Sequence, residues 1–398
     1  MLKIRFSFLG NYLLIFSLLL ILAAGCAKPP LSKVTADNQV TLTDDLQPAT
    51  LLTAAVRHLH YLENLPNDSV FTLESDTYPI SWLRESIQSF IDILKQDPDS
   101  EELARIIAEN YTIYQAGGRD DAPVGEMLFT GYYEPFLQGS LTREEPFIYP
   151  LYTAPPSLLE VKDSQSGKTS FMRRDSNNHL TPYWTRKEIE EKGYARGSEM
   201  VYLNNPVDAF ILHVQGSGKI QLRDDSIRSI HYAASNGLEY FSIGKLLVDQ
   251  GKITLEEASI PTIRAYLTAH PEEQKAILHH NIKFIFFKWA PPGDPVGSIG
   301  EPLVAGRSIA IDPDVLPQQT LAFLVSRKPV LDTDGSIIKW VDMQRFVFPQ
   351  DSGSAIKGSG RADMFWGSGN YAKLAAGSMK EKGSLYFLVK NNFEKHKE

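Results

Sequence analysis

From Gly125 onward the chain abandons helical spacing for short runs of aromatic and β-branched residues, each punctuated by Gly, Pro or Asp. That grammar constrains the fold more than any other feature. Repeated short strands on irregular, glycine-rich connections build small β-barrels, and do not build a parallel doubly wound sheet. Residues 129–136, 147–152, 209–214 and 219–223 read as strands, with Gly216-Ser217-Gly218 as a tight turn between the last two. A helical interlude over 242–280 interrupts them, divided at Gly251 and Pro261. Strands resume at 283–288, 308–311, 321–325, 337–348 and 385–389, and Asp334-Gly335 marks a hairpin.

Upstream, Leu51, Leu52, Ala55, Val56, Leu59 and Leu62 share one face at helical spacing. A second helix is expected over 80–95 and a third over 100–114, where Asp99 and Glu102 stand at capping-box spacing. His58 and His60 lie two apart on the first helix and so do not face each other. They read as packing or surface side chains, not as a metal site. Residues 26–50 are polar, with Pro29 and Pro30, and read as a tether without a core of its own.

The only cysteine, Cys26, closes an apolar run from Tyr12 to Ala24 that follows Lys3 and Arg5. The run is shorter than the ~20 residues a membrane span needs. Leu22-Ala23-Ala24-Gly25-Cys26 resembles a bacterial lipobox, which makes residues 1–25 a lipoprotein signal peptide and Cys26 the acylated first residue. Ala27 after it resembles an outer-membrane sorting signal. The alternative is an ordinary cleaved leader with an incidental cysteine. The net charge of −8 argues against a nucleic-acid partner. At 398 residues, 43 % hydrophobic and 22 % charged, the chain is long enough for two or three globular units.

Familiar motifs fail when tested. Gly216-Ser217-Gly218-Lys219 has His213 where a phosphate loop needs glycine, and Ile220 where it needs Ser or Thr. There is no Gly-x-Ser-x-Gly elbow and no His-Glu-x-x-His. Three aspartate-centred stretches remain: 307–313 around Asp312, 351–358 from Asp351 to Gly358, and 361–367 around Asp363. Asp363 precedes Met364-Phe365-Trp366, neighbours that desolvate a carboxyl group and keep its proton available near neutrality. The plainer reading is that these aspartates cap turns.

The three stretches resemble the three-aspartate domain that ends the membrane-bound lytic murein transglycosylase A family. Phe129-Thr130-Gly131-Tyr132-Tyr133-Glu134-Pro135, His213-Val214-Gln215-Gly216-Ser217-Gly218 and Gly297-Ser298-Ile299-Gly300 are similar to its other signatures. The similarity runs from about Met127 to Leu388. Ser352, Ser354 and Gln318-Gln319 depart from the usual residues. The resemblance implies a mainly β protein with N-terminal helices, an α+β class: a double-psi β-barrel with a second β-domain inserted and a glycan groove between them. On that basis the barrel domain is expected over 51–135 plus 284–390, the insert over 136–283, and a tail over 391–398.

The same resemblance implies a lytic transglycosylase that cuts the β-1,4 bond between N-acetylmuramic acid and N-acetylglucosamine, leaving a 1,6-anhydromuramoyl end. Asp363 takes the catalytic place, Asp351 a supporting one and Asp312 a structural one. Thr130, Tyr132, Gln215, Ser217, Lys357 and Trp366 are the expected glycan contacts. Neither cofactor nor metal is implied. The expected partners are peptidoglycan strands, the outer membrane through a lipid on Cys26, and a cell-wall synthesis or hydrolysis complex. A rival reading is a non-catalytic glycan-binding lipoprotein on the same scaffold, since fold does not fix function.

Overall fold

The computed structural model describes residues 28–35, 40–162 and 169–391; the leader, Cys26 and the tail after 391 lie outside the described residues. Six strands close on themselves. Met127–Glu134 pairs with Arg361–Ser368, and then follow Ser308–Ile311, Ile337–Ser352, Leu321–Leu331 and Glu381–Lys390, which pairs back onto Met127–Glu134. Two of these pairings are parallel, Met127–Glu134 with Arg361–Ser368 and Ser308–Ile311 with Ile337–Ser352, as a double-psi barrel requires. Closure removes free strand edges, and Phe129, Phe323, Phe346, Phe348 and Phe387 are buried in one core that the barrel shares with the N-terminal helices.

The N-terminal helices lie against this barrel. Pro48–Glu63 buries Leu51, Ala55 and Leu62, and Ile80–Leu94 buries Leu83, Ile87 and Phe90. On the first helix His58 is fully buried against Tyr61 and Phe348, and burial pushes its pKa down to about 3. His60 points outward, so the pair behaves as its spacing required. The third helix is Ser100–Asn110, and Asp99 caps it by accepting from the Glu102 N–H at 2.8 Å. It stops four residues short of the expected end. Tyr111, Thr112, Ile113 and Tyr114 are strand formers, and they pair with Glu381–Lys390 instead.

The second β-domain holds a six-stranded sheet in the order Ile285–Ala290, Ile227–Ser235, Ser217–Gln221, Phe136–Ser140, Glu199–Leu203, Tyr149–Tyr152. Two expectations need correcting here. The return to the barrel, expected at residue 284, falls after Ala290, because Ile285–Ala290 runs antiparallel to Ile227–Ser235. Residues 209–214 form no strand; they belong to the helix Pro206–Gln215. Asn205 caps it through the N–H groups of Val207 and Asp208, Pro206 takes its first turn, and Gly216 ends it in the left-handed conformation at φ 80°. Its residues Val207, Phe210, Ile211, Leu212 and His213 are all buried, so no amphipathic period shows in the sequence.

The described part of the expected tether is also not free. Leu31–Lys33 pairs with Tyr111–Ala116, and Leu31 and Leu42 are buried in the barrel core. Arg307, wholly buried, makes a bidentate pair with Asp44 (2.6 and 3.0 Å), while Arg345 does the same with Asp45 (2.8 and 3.1 Å). Polar composition here serves charge pairing with the barrel.

Candidate active site

Side chains alternate along the barrel strand Arg361–Ser368. Ala362, Met364 and Trp366 point into the core, which leaves Arg361, Asp363 and Phe365 on the opposite face. The parallel neighbour Met127–Glu134 sets Thr130 beside Asp363 and Tyr132 beside Phe365. Thr130 Oγ1 donates to Asp363 Oδ1, and Arg361 Nη2 donates to Thr130 Oγ1 at 3.4 Å. Because the threonine oxygen accepts from Arg361, its own proton is free to point at Asp363.

Asp351 completes the cluster from the end of the strand Ile337–Ser352. Its Oδ2 accepts from the Tyr132 hydroxyl at 2.9 Å. Its Oδ1 accepts from the backbone N–H groups of Ser298 and Ser352 at 2.9 and 2.8 Å. The Tyr132 ring packs on Phe365 with centroids 5.2 Å apart.

Electrostatics separate these carboxyls from ordinary surface ones. Desolvation raises the Asp363 pKa, against the lowering effects of the Thr130 hydrogen bond and the Arg361 charge. Desolvation also pushes Asp351 up to about 6; its hydrogen bonds oppose this and the Asp363 charge adds to it. Two neighbouring carboxyls whose pKa values burial raises suit proton transfer.

The other predicted site residues divide. The Asp312 carboxylate accepts from Gly358 N–H at 2.9 Å and Lys357 Nζ at 3.2 Å, which pins the loop between Asp351 and Asp363. Against desolvation, those two donors hold its pKa below the usual range. Lys357, expected on the glycan, pairs with Asp312 while most of its side chain stays exposed. Gln215 Oε1 accepts from the Tyr133 N–H at 2.9 Å and ties the inserted domain to the barrel. Ser217 opens the neighbouring strand and is half-buried. Trp366, expected to stack on sugar, is 8 % exposed, packs in the core and also borders the cavity next to Phe365. Its indole lies over Gly131, where an added Cβ would sit 2.6 Å from Nε1.

Beyond Phe365 a cavity of about 510 Å³ continues the cluster, with Arg57, Glu134, Asp294 and Ser368 in its wall. Glu134 is buried and pairs with Lys219 of the inserted domain at 3.0 Å. Phe365, Arg361 and this ion pair carried no assignment from sequence. Strand alternation outward from Asp363 is the signal that identifies the first two.

Known proteins share the fold and the sequence pattern of this chain. Residues 128–288 match the family model of the MltA specific insert domain, and residues 307–389 match the 3D domain. The membrane-bound lytic murein transglycosylase A of Escherichia coli (strain K12) is 32 % identical over 277 residues, 69 % of this chain and 68 % of that protein. That of Vibrio cholerae is 31 % identical over 283 residues, 70 % of this chain and 69 % of that one. Among solved structures, a membrane-bound lytic murein transglycosylase from Agrobacterium tumefaciens aligns with TM-score 0.70 at 29 % identity, over 90 % of this chain and 97 % of that one. Escherichia coli MltA with bound chitohexaose aligns with TM-score 0.67 at 26 % identity, over 92 % and 96 %. A double-psi barrel carrying this insert and a carboxyl pair beside it defines an enzyme of the lytic transglycosylase class. The chain belongs to the membrane-bound lytic murein transglycosylase A family.

Proposed function

We propose that the protein cleaves peptidoglycan at the β-1,4 bond between N-acetylmuramic acid and N-acetylglucosamine, with Asp363 as acid and then base. The observation that carries this reading is Asp363 itself: a desolvated carboxyl with a raised pKa, fixed at one oxygen by Thr130. Ordinary glycosidases need two carboxylates, one for each face of the reaction. A lytic enzyme uses the substrate's own C6 hydroxyl as the attacking group, so one acid suffices. Protonated Asp363 donates to the departing glycosidic oxygen. The resulting carboxylate takes the proton from the C6 hydroxyl as that oxygen bonds to C1 and closes the 1,6-anhydro ring. Protons balance and no water enters.

Asp351, held by three donors, orients this centre through Tyr132. Tyr132, with Phe365 behind it, presents an aromatic wall to sugar, and the amide nitrogen of Gln215 and the hydroxyl of Ser217 supply polar contacts. Acylated Cys26 places the enzyme on the periplasmic side of the outer membrane, within a cell-wall complex. The direct test is digestion of purified sacculi with mass spectrometry of the products. Anhydromuramoyl ends are the expected result; reducing muramic acid ends would make the protein a hydrolase and overturn the mechanism.

The pH dependence follows from the same shifts. Asp363 is active when protonated, and its raised pKa keeps that form beyond the ordinary carboxylate range. kcat/KM is therefore expected to hold at acid pH and to fall as pH rises through the raised pKa of Asp363, above the ordinary carboxylate range. The Thr130 bond stabilises the ionised form, so Thr130→Val should move that descending limb to higher pH. A limb left in place in a pH–rate profile of this variant would remove Asp363 as its source.

A further inference from the structure

Which surface of the protein meets the membrane follows from its chain path, given the reading of Cys26 as the lipid-bearing residue. The chain is fixed to the barrel almost as soon as it leaves that cysteine. Lys28 Nζ donates to the backbone carbonyls of Arg119, at 2.6 Å, and Ala122. Gly117 N–H donates to Pro30 O at 2.8 Å, Leu31 pairs with Ala116 across the strands, and Val34 N–H donates to Ile113 O at 2.8 Å. Only Ala27 separates Cys26 from the first of these contacts. Two Cα steps span at most about 7.6 Å. Acyl chains on Cys26 therefore bring the lipid surface to the loop 117–125, which Lys28 grips.

The exposed surface of that loop suits contact imposed by a leash. Its tip carries Pro123 and Val124, the latter 67 % exposed. Its charges are largely self-compensated: Arg119 pairs with Asp121 at 2.9 and 3.0 Å, and Glu126 with Lys382 at 3.1 Å. Asp120 is exposed, and the Lys28 ammonium is turned inward onto carbonyls. Such a face has no basic patch to draw anionic lipid, so the anchor decides its position. Behind it, Ser359 Oγ donates to Gly118 O at 3.2 Å and Leu128 N–H donates to Gly360 O at 2.9 Å. The loop thus backs directly onto the turn that links Asp351 to Asp363.

We propose that loop 117–125 is the membrane-facing surface of the protein, held against phospholipid headgroups by acylated Cys26 on a two-residue leash. The active-site turn is then carried at a fixed, short distance from the bilayer.

The test uses the full-length acylated protein in phosphatidylethanolamine/phosphatidylglycerol vesicles. Thioether formation consumes Cys26, so Val124→Cys supplies a unique thiol for an environment-sensitive fluorophore; Asp120→Cys is the second labelling site. Lipids carrying a nitroxide on the headgroup should quench most of the emission at both sites. Inserting about twelve Gly/Ser residues between Ala27 and Lys28 adds roughly 20 Å of reach and should abolish the quenching. Unquenched probes on protein whose mass shows the lipid would overturn the membrane-facing assignment. Equal quenching with the insertion would overturn the leash as its cause. A protein that carries no lipid on Cys26 would instead overturn the anchor reading, and the intact mass distinguishes that failure from the other two.

Discussion

Asp363→Asn is expected to lose essentially all release of anhydromuropeptides from sacculi while still sedimenting with them. Asparagine keeps the shape of the side chain, and its amide oxygen can accept the Thr130 hydroxyl as Asp363 Oδ1 does. Fold and glycan binding should therefore survive. What disappears is proton transfer in both halves of the reaction, and each transfer is typically worth ~10²–10⁴ in rate. Asp351→Asn should retain measurable turnover, because its Oδ1 can still accept from Ser298 and Ser352 and only the bond from Tyr132 must rearrange. Mass spectrometry of the released muropeptides reads both variants, and circular dichroism checks their folding. Wild-type anhydro release by Asp363→Asn would end the single-aspartate mechanism. Two folded, inactive variants would make the pair joint catalysts.

The residues that cluster were more legible in the sequence than the surroundings that support them. Asp351, Asp363 and Thr130 lie in compact motifs, and the structure gathers them because Arg361–Ser368 and Met127–Glu134 are parallel neighbours in the barrel. Side-chain direction was the part the motifs left open. Lys357, Gln215 and Trp366 sit in the same motifs, yet one holds Asp312, one joins the two domains and one fills the core. For Trp366 the strand period was available: counting by two from Asp363 puts Phe365 on its face and Trp366 on the other. The helix Pro206–Gln215 was hidden because burial on most sides erased its period, although Asn205, Pro206 and Gly216 marked its ends. The docking of residues 28–35 and 40–50 was hidden for a different reason. Their partners, Arg307 and Arg345, lie more than 250 residues away, and no local pattern announces such pairing.

Asp44→Ala should be the most destabilising single change in that segment, at roughly 3–5 kcal/mol, the usual cost of removing one partner from a buried ion pair. Arg307 has no exposed surface, and its guanidinium is satisfied throughout. Nε donates to Thr50 Oγ1, Nη1 to Asp44 and Phe346 O, and Nη2 to Asp44, Leu46 O and Gln47 O. Desolvation already depresses its pKa against the pull of Asp44, so without the carboxylate the buried charge has no counterion within reach of a hydrogen bond. Asp44 also accepts the N–H groups of Phe346 (2.9 Å) and Leu46 (2.8 Å), and both would be orphaned. The damage should spread to the strand Ile337–Ser352, which carries Asp351. Urea titration monitored by tryptophan fluorescence should show a lower midpoint, with loss of activity tracking unfolding and no change in product type. Asp44→Leu combined with Arg307→Met should recover part of the loss, because apolar groups of similar volume avoid the stranded charge. If Asp44→Ala melts with the wild-type protein, residues 40–47 are not clamped to the barrel, and they return to being a tether.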